Sequence, residues 1–218
     1  MVQFKHPHLR YETFVVTHYH QNCTLLYHAL TQEAMIVDPG GDLEAIIEVL
    51  EMKQLTLTKI CITHGHIDHV GGVKALHERY PSSLVIGPHC EDRFLIDQLD
   101  TLQEHYEIPA QRFTPDRWLV HGDTVEWADL SFEVRHVPGH SPGSVIYILH
   151  QEQFIFMGDV VFHKSVGRTD LPGGSHAQLL ESIKQHILVL DDSYRFIPGH
   201  GRSSTIGIER LENPFLRA

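Results

Sequence analysis

CITHGHIDHVGG, residues 61–72, sets three histidines and an aspartate within six positions and follows them with a valine and two glycines. From an extended strand end, His64 and His66 are spaced to point the same way. Asp68 and His69 come after a turn and can face a neighbouring point. Imidazole and carboxylate donors suit Zn, Fe or Mn rather than a thiolate site. Four such groups cannot close two coordination spheres, so further ligands must arrive from elsewhere in the chain.

Three other segments offer them, each a strand end beside glycine: His140 in HVPGHSPGS (136–144), Asp159 in FMGDVVF (156–162) and His200 in IPGHGRS (197–203). Glycine permits the tight backbone and close approach that a ligand loop needs.

Working outward, short apolar strands are expected at 13–16, 23–30 and 34–38, the last ending in Pro39-Gly40-Gly41. Asp42 is placed to cap a helix in which Leu43, Ile46, Ile47 and Leu50 share one face. A strand over 58–63 leads into the His/Asp loop, and a helix with Val73, Leu76 and Tyr80 on one face follows it. Another strand is expected at 83–87. Residues 88–117 read as mixed helix and loop. Strands return at 124–130, 131–137, 144–150 and 153–159, then a helix near 176–188, a strand at 194–198 and a short terminal helix. This order predicts two sheets covered by helices on their outer faces.

The chain has 218 residues, 42% hydrophobic and 21% charged, as expected of a globular protein with a real core. A formal charge of −11 disfavours nucleic acid as a partner, while an anionic small molecule stays compatible because a metal supplies positive field locally. Three cysteines without C-x-x-C spacing disfavour a disulfide framework and fit a reducing cytosol. No signal peptide or membrane span is expected, which predicts a cytoplasmic protein that does not bind membranes.

The ordered set Asp38, His64-x-His66-x-Asp68-His69, His140, Asp159 and His200 resembles the metallo-β-lactamase fold superfamily over nearly the whole chain. The resemblance implies an αβ/βα sandwich, two mixed sheets with helices outside, and a single domain over residues 1–218. It also implies two divalent metal ions per chain, Zn first, with Fe or Mn as alternatives. His64, His66 and His140 would hold one; Asp68, His69 and His200 the other, with Asp159 bridging. Asp38 would orient the ligand loop by hydrogen bonds.

Within that family, QNCTLL (21–26), THGHIDHVGG (63–72), VGRTDLPGGS (166–175) and NPFL (213–216) resemble the short bacterial glyoxalase II-like hydrolases. This implies hydrolysis of S-D-lactoylglutathione or a related glutathione thioester by a hydroxide held between two metals, whose pKa such ions lower to ~7. Asp68 would aim that nucleophile. Only 18 residues follow His200, so the C-terminal helical glutathione-binding domain of longer relatives is expected to be absent. Arg168 is the cation best placed in sequence to meet a substrate carboxylate, with Lys164, Arg202 and Arg210 read as surface ion-pair partners. The rival within the fold is a mononuclear-iron persulfide dioxygenase using His64, His140 and Asp159; lactone hydrolysis and a non-enzymatic metal-binding role are further alternatives. The remaining histidines read as structural rather than ligating, with His18 and His20 as strand-end surface residues. Tyr147 and Cys61 read as core.

Overall fold

The computed structural model describes residues 4–217; residues 1–3 and 218, part of the single-domain expectation, lie outside them. The first sheet has five strands in sequence order: β1 (Leu9–Val16), β2 (Gln21–His28), β3 (Glu33–Val37), β4 (Thr56–Cys61) and β5 (Leu84–Ile86). β1 to β3 are antiparallel, and β3, β4 and β5 run parallel. Its connections carry α1 (Leu43–Met52), α2 (Ile67–Val70), α3 (Val73–Arg79), α4 (Arg93–Asp97) and α5 (Leu99–Tyr106).

The second sheet has six strands in the order β13-β12-β9-β8-β7-β6. These are β6 (Thr124–Trp127), β7 (Leu130–His136), β8 (Val145–Leu149), β9 (Phe154–Gly158), β12 (Arg195–Pro198) and β13 (Ser204–Thr205). The pair β10 (Val161–Phe162) and β11 (Ser165–Val166) stands apart, and α6 (His176–His186) and α7 (Ile206–Glu212) complete the elements.

The inner strands β3, β8 and β9 read as near-continuous apolar runs because both of their faces are buried. Neighbouring residues on a strand point to opposite faces, so each run feeds two cores. Leu26, Met35, Val37 and Cys61 meet Phe132, Val134, Tyr147 and Phe156 between the sheets. Their neighbours Leu25, Ile36 and Ile60 face outward to Ile46, Leu50, Val73 and Leu76 of α1 and α3. On the other outer face Ile146, Ile148 and Ile155 pack on Leu179 and Ile183 of α6. The architecture is the expected αβ/βα sandwich. Tyr147 and Cys61 are core residues, 1% and 0% exposed.

One expectation fails. Asp42 stands at the N-cap position of α1 in a left-handed conformation and makes no capping bond. Its Oδ2 accepts the Thr17 amide at 2.6 Å instead, tying α1 to the turn after β1. Among the described residues no helix is long and apolar enough to cross a membrane.

Candidate metal centre

The parallel pairs β3–β4 and β9–β12 send their carboxyl ends to the same edge of the sandwich, and each releases a loop there. Asp38 follows β3, His64 and His66 follow β4, Asp159 follows β9 and His200 follows β12; His140 lies in the turn between β7 and β8. Asp68 and His69 sit on the single helical turn α2, so one short element presents both.

Two groups form. In the first, His140 Nε2 lies 2.9 Å from His66 Nδ1 and 3.2 Å from His64 Nε2. In the second, His200 Nε2 lies 3.1 Å from Asp68 Oδ2 and 3.4 Å from His69 Nε2. Asp159 stands between them: Oδ2 is 3.5 Å from His140 Nε2 and from His200 Nε2, and Oδ1 is 3.3 Å from His69 Nε2. All seven sequence-nominated ligands therefore converge.

The outer ring nitrogens decide what the inner ones offer. His140 Nδ1 donates to the Arg168 carbonyl at 2.7 Å and His200 Nδ1 to the Tyr19 carbonyl at 2.9 Å. His69 Nδ1 meets Asp38 Oδ2 at 2.9 Å. His64 Nδ1 lies 3.1 Å from Thr63 Oγ1, whose own proton goes to Asp38 Oδ2 at 2.6 Å. With those N–H groups engaged outside, each inward Nε2 of a neutral ring is a lone pair. Two carboxylates, acceptors only, join them, and Asp159 Oδ1 is buried without a hydrogen bond. A cluster built of acceptors fits divalent cations held by imidazole and carboxylate.

The electrostatics agree. Burial, then the neighbouring imidazoles, hold His64 well below the usual histidine range, and the same causes push His66 down to about 3. For His69, burial acts downward but Asp159 and Asp68 override it and hold the ring well above its ordinary value. His200 behaves alike: against burial, its bonds to Asp159 and Asp68 push it up to about 10. The carboxylate end of the cluster thus calls for positive charge, which protons provide when no metal does.

Two positioning residues, Asp92 and Asn22, are not among the sequence candidates. Asp92, fully buried, accepts Gly65 N at 2.8 Å, Gly143 N at 2.6 Å and Ser141 Oγ at 2.7 Å, joining the loop of His64 and His66 to that of His140. The Asn22 backbone N–H donates to Gly199 O at 2.7 Å, and its Nδ2 donates to Pro198 O and Gly201 O, clamping the His200 loop. Asp92 lies in the segment read only as mixed; Asn22 lies in QNCTLL, whose resemblance was the one signal available.

The cationic candidates are engaged. Arg168 pairs with Asp170 through two contacts of 2.8 Å on an exposed loop; only its carbonyl reaches the cluster directly, through His140. Lys164 pairs with Glu212, Arg210 with Asp192, and Arg202 with His163, whose ring is also held by buried Glu209. His18 and His20 are exposed.

The family model of the metallo-beta-lactamase superfamily matches residues 16–200. A hydroxyacylglutathione hydrolase, GloC, of Haemophilus influenzae is 37% identical over 95% of this chain and 98% of its own length. Among solved structures, BLEG-1 B3 metallo-beta-lactamase is 38% identical with a TM-score of 0.87, covering 96% of this chain and 100% of its own. TTHA1623 in a di-iron-bound form is 32% identical with a TM-score of 0.83, covering 94% and 100%. With the sandwich, the converging ligands and a family match over most of its length, the chain belongs to the metallo-beta-lactamase superfamily and is a metallo-hydrolase of that family.

Proposed function

We propose that the chain is a binuclear thioester hydrolase of glyoxalase II type, acting on S-D-lactoylglutathione or a related glutathione thioester. The observation that carries this reading is the second ligand group: Asp68, His69 and His200 face Asp159 with the outer nitrogens of both rings already engaged. A single-iron dioxygenase would be built on His64, His140 and Asp159 alone, so a metal held by that group separates the two readings. Likeness to the Haemophilus hydroxyacylglutathione hydrolase supports the substrate class.

In this reading His64, His66 and His140 would hold one cation and Asp68, His69 and His200 the other, with Asp159 placed to serve both. Bound divalent ions, zinc first with iron or manganese as alternatives, polarise a carbonyl and lower the pKa of water to ~7. Asp68 accepts a hydrogen bond from the attacking water and aims its lone pair at the thioester carbon. The leaving thiolate, with a parent pKa near ~8.5, needs little protonation. Arg168 is the cation proposed for the substrate carboxylate, and Asp170 must then release it. The proposed setting is the cytoplasm.

The 38% likeness to a B3 metallo-beta-lactamase favours one second reading, β-lactam hydrolysis at the same centre. The deciding experiment is metal analysis of the purified protein with parallel assays on S-D-lactoylglutathione, a chromogenic cephalosporin and glutathione persulfide. Thioester cleavage well above the other two is expected. Cephalosporin turnover in its place selects the second reading, and persulfide-dependent oxygen uptake by the iron form without thioester cleavage overturns both.

A further inference from the structure

Beside the metal centre one cation keeps its charge. Arg168 has Asp170 against it, Lys164 has Glu212 and Arg210 has Asp192. Arg202 differs. Among the described residues its side chain meets no carboxylate and instead donates from Nη2 to His163 Nε2. The expectation of a surface ion pair therefore fails at Arg202.

The direction of that bond follows from the carboxylate behind the ring. Glu209 is 1% exposed and, as a carboxylate, only accepts, so His163 Nδ1 donates to its Oε1 at 3.0 Å. The Ser204 hydroxyl, 3.4 Å from the same ring nitrogen, gives its own proton to Glu209 Oε1. A neutral ring protonated at Nδ1 presents a lone pair at Nε2, and the guanidinium donates into it. Glu209 Oε2 takes the Lys164 amide at 2.7 Å and Asn213 Nδ2 at 3.0 Å, so the anchor is itself fixed. A neutral imidazole leaves the guanidinium its full charge, and most of its N–H donors stay available.

Both residues stand on ligand loops. Arg202 lies two positions beyond His200, at most about 7 Å of chain. Asn22 Nδ2 holds the Gly201 carbonyl between them at 2.8 Å. His163 lies four positions beyond Asp159, in the β10–β11 hairpin, and the ring of Phe162 just before it stands 6.2 Å from that of His200. The His200 side chain is 27% exposed, against 16% for Asp68, 10% for Asp159, 3% for His140 and 0% for His69. Of these five ligands, His200 thus marks the side on which the cluster opens to solvent, and Arg202 stands next to it.

We propose that Arg202 receives a carboxylate of the substrate and that His163, anchored on Glu209, positions it. The inference rests on the thioester reading above and sharpens it. A glutathione thioester carries two carboxylates, one at each end of the peptide, and Arg168 accounts for at most one. In a chain of formal charge −11, an uncompensated guanidinium at the opening is a local point of attraction for such an anion. Its planar fork matches carboxylate geometry in a way that a lysine ammonium does not. Arg202 touches the substrate; His163 and Glu209 act through it.

The test compares two D-lactoyl thioesters, one of glutathione and one of uncharged N-acetylcysteamine, on metal-loaded wild type, Arg202→Ala, Arg202→Lys and His163→Leu. Arg202 is exposed, so its variants are expected to fold. In Arg202→Ala the preference for the glutathione thioester, as a ratio of kcat/KM values, is expected to fall at least about tenfold, through KM rather than kcat. Arg202→Lys recovers part of that ratio, and His163→Leu loses part of it although the guanidinium is intact. A wild-type ratio in Arg202→Ala, or an equal loss on both thioesters, would overturn the proposal and leave the thioester reading standing. A wild-type ratio in His163→Leu would remove the positioning role. Cleavage of neither thioester by wild type removes the thioester reading, and this proposal with it.

Discussion

Asp92 accepts the Ser141 hydroxyl at 2.7 Å with the same oxygen that takes the Gly65 amide at 2.8 Å, so one buried carboxylate sets the spacing of two ligand loops. Its other oxygen takes the Gly143 amide at 2.6 Å. Burial pushes its pKa up, while Ser141, Gly65 and Gly143 act the other way by donating to the carboxylate.

Asp92→Asn replaces one acceptor oxygen with a donor that faces N–H groups. Metal affinity and kcat/KM are each expected to fall about 10–100-fold, the usual effect of losing a residue that orients metal ligands. Zinc competition against a chromophoric chelator measures the first. An unchanged affinity would show that the loops hold their spacing without Asp92.

Gly199 precedes His200, and a Cβ there would lie 2.0 Å from Asp159 Oδ1 and 2.6 Å from His69 Cε1. Gly199→Ala is therefore expected to cost activity as severely as loss of a ligand, although glycine ligates nothing. The fold should survive, because the clash is confined to the cluster. Near-normal turnover with a wild-type circular dichroism spectrum would contradict the geometry.

His69→Ala removes the residue that joins Asp38 to the second group. Metal content is expected to drop from two ions to about one, and thioester turnover by ~100-fold or more. Full-rate hydrolysis by this variant would make the two-metal reading wrong.

Metal uptake is expected to release protons. In the metal-free cluster His200 is held up to about 10, so it carries a proton at about pH 8, and His69 is raised as well. A bound cation takes the lone pair and displaces the proton. The sign for stability follows: a raised histidine pKa stabilises the metal-free fold fully below about pH 6.5, and that contribution is lost as pH rises through 10. Zinc addition in weak buffer should acidify the solution, and melting temperature should fall with alkali in metal-free protein only. No acidification on stoichiometric zinc binding would remove this account.

Much of this was legible in the chain. H-x-H-x-D-H with three glycine-flanked partners nominated seven residues that the fold brings together, and apolar runs on either side marked two buried sheets. Local chemistry suffices for both, since ligand type and strand periodicity are properties of short segments. Asp42 shows the limit: it has a capping residue's type and position, yet a distant amide, Thr17 N, claims its carboxylate.

The amino-acid sequence by itself determined the donor set and the two-sheet pattern. Only the tertiary structure decided which nitrogen of His64, His69, His140 and His200 faces inward, because carbonyls of Arg168 and Tyr19, the Thr63 hydroxyl and the Asp38 carboxylate take the outer ones. It alone revealed Asp92 and Asn22 as loop clamps, and it alone set His163 between Glu209 and Arg202. Those relations depend on backbone groups and folded distance, which spacing along a chain does not encode.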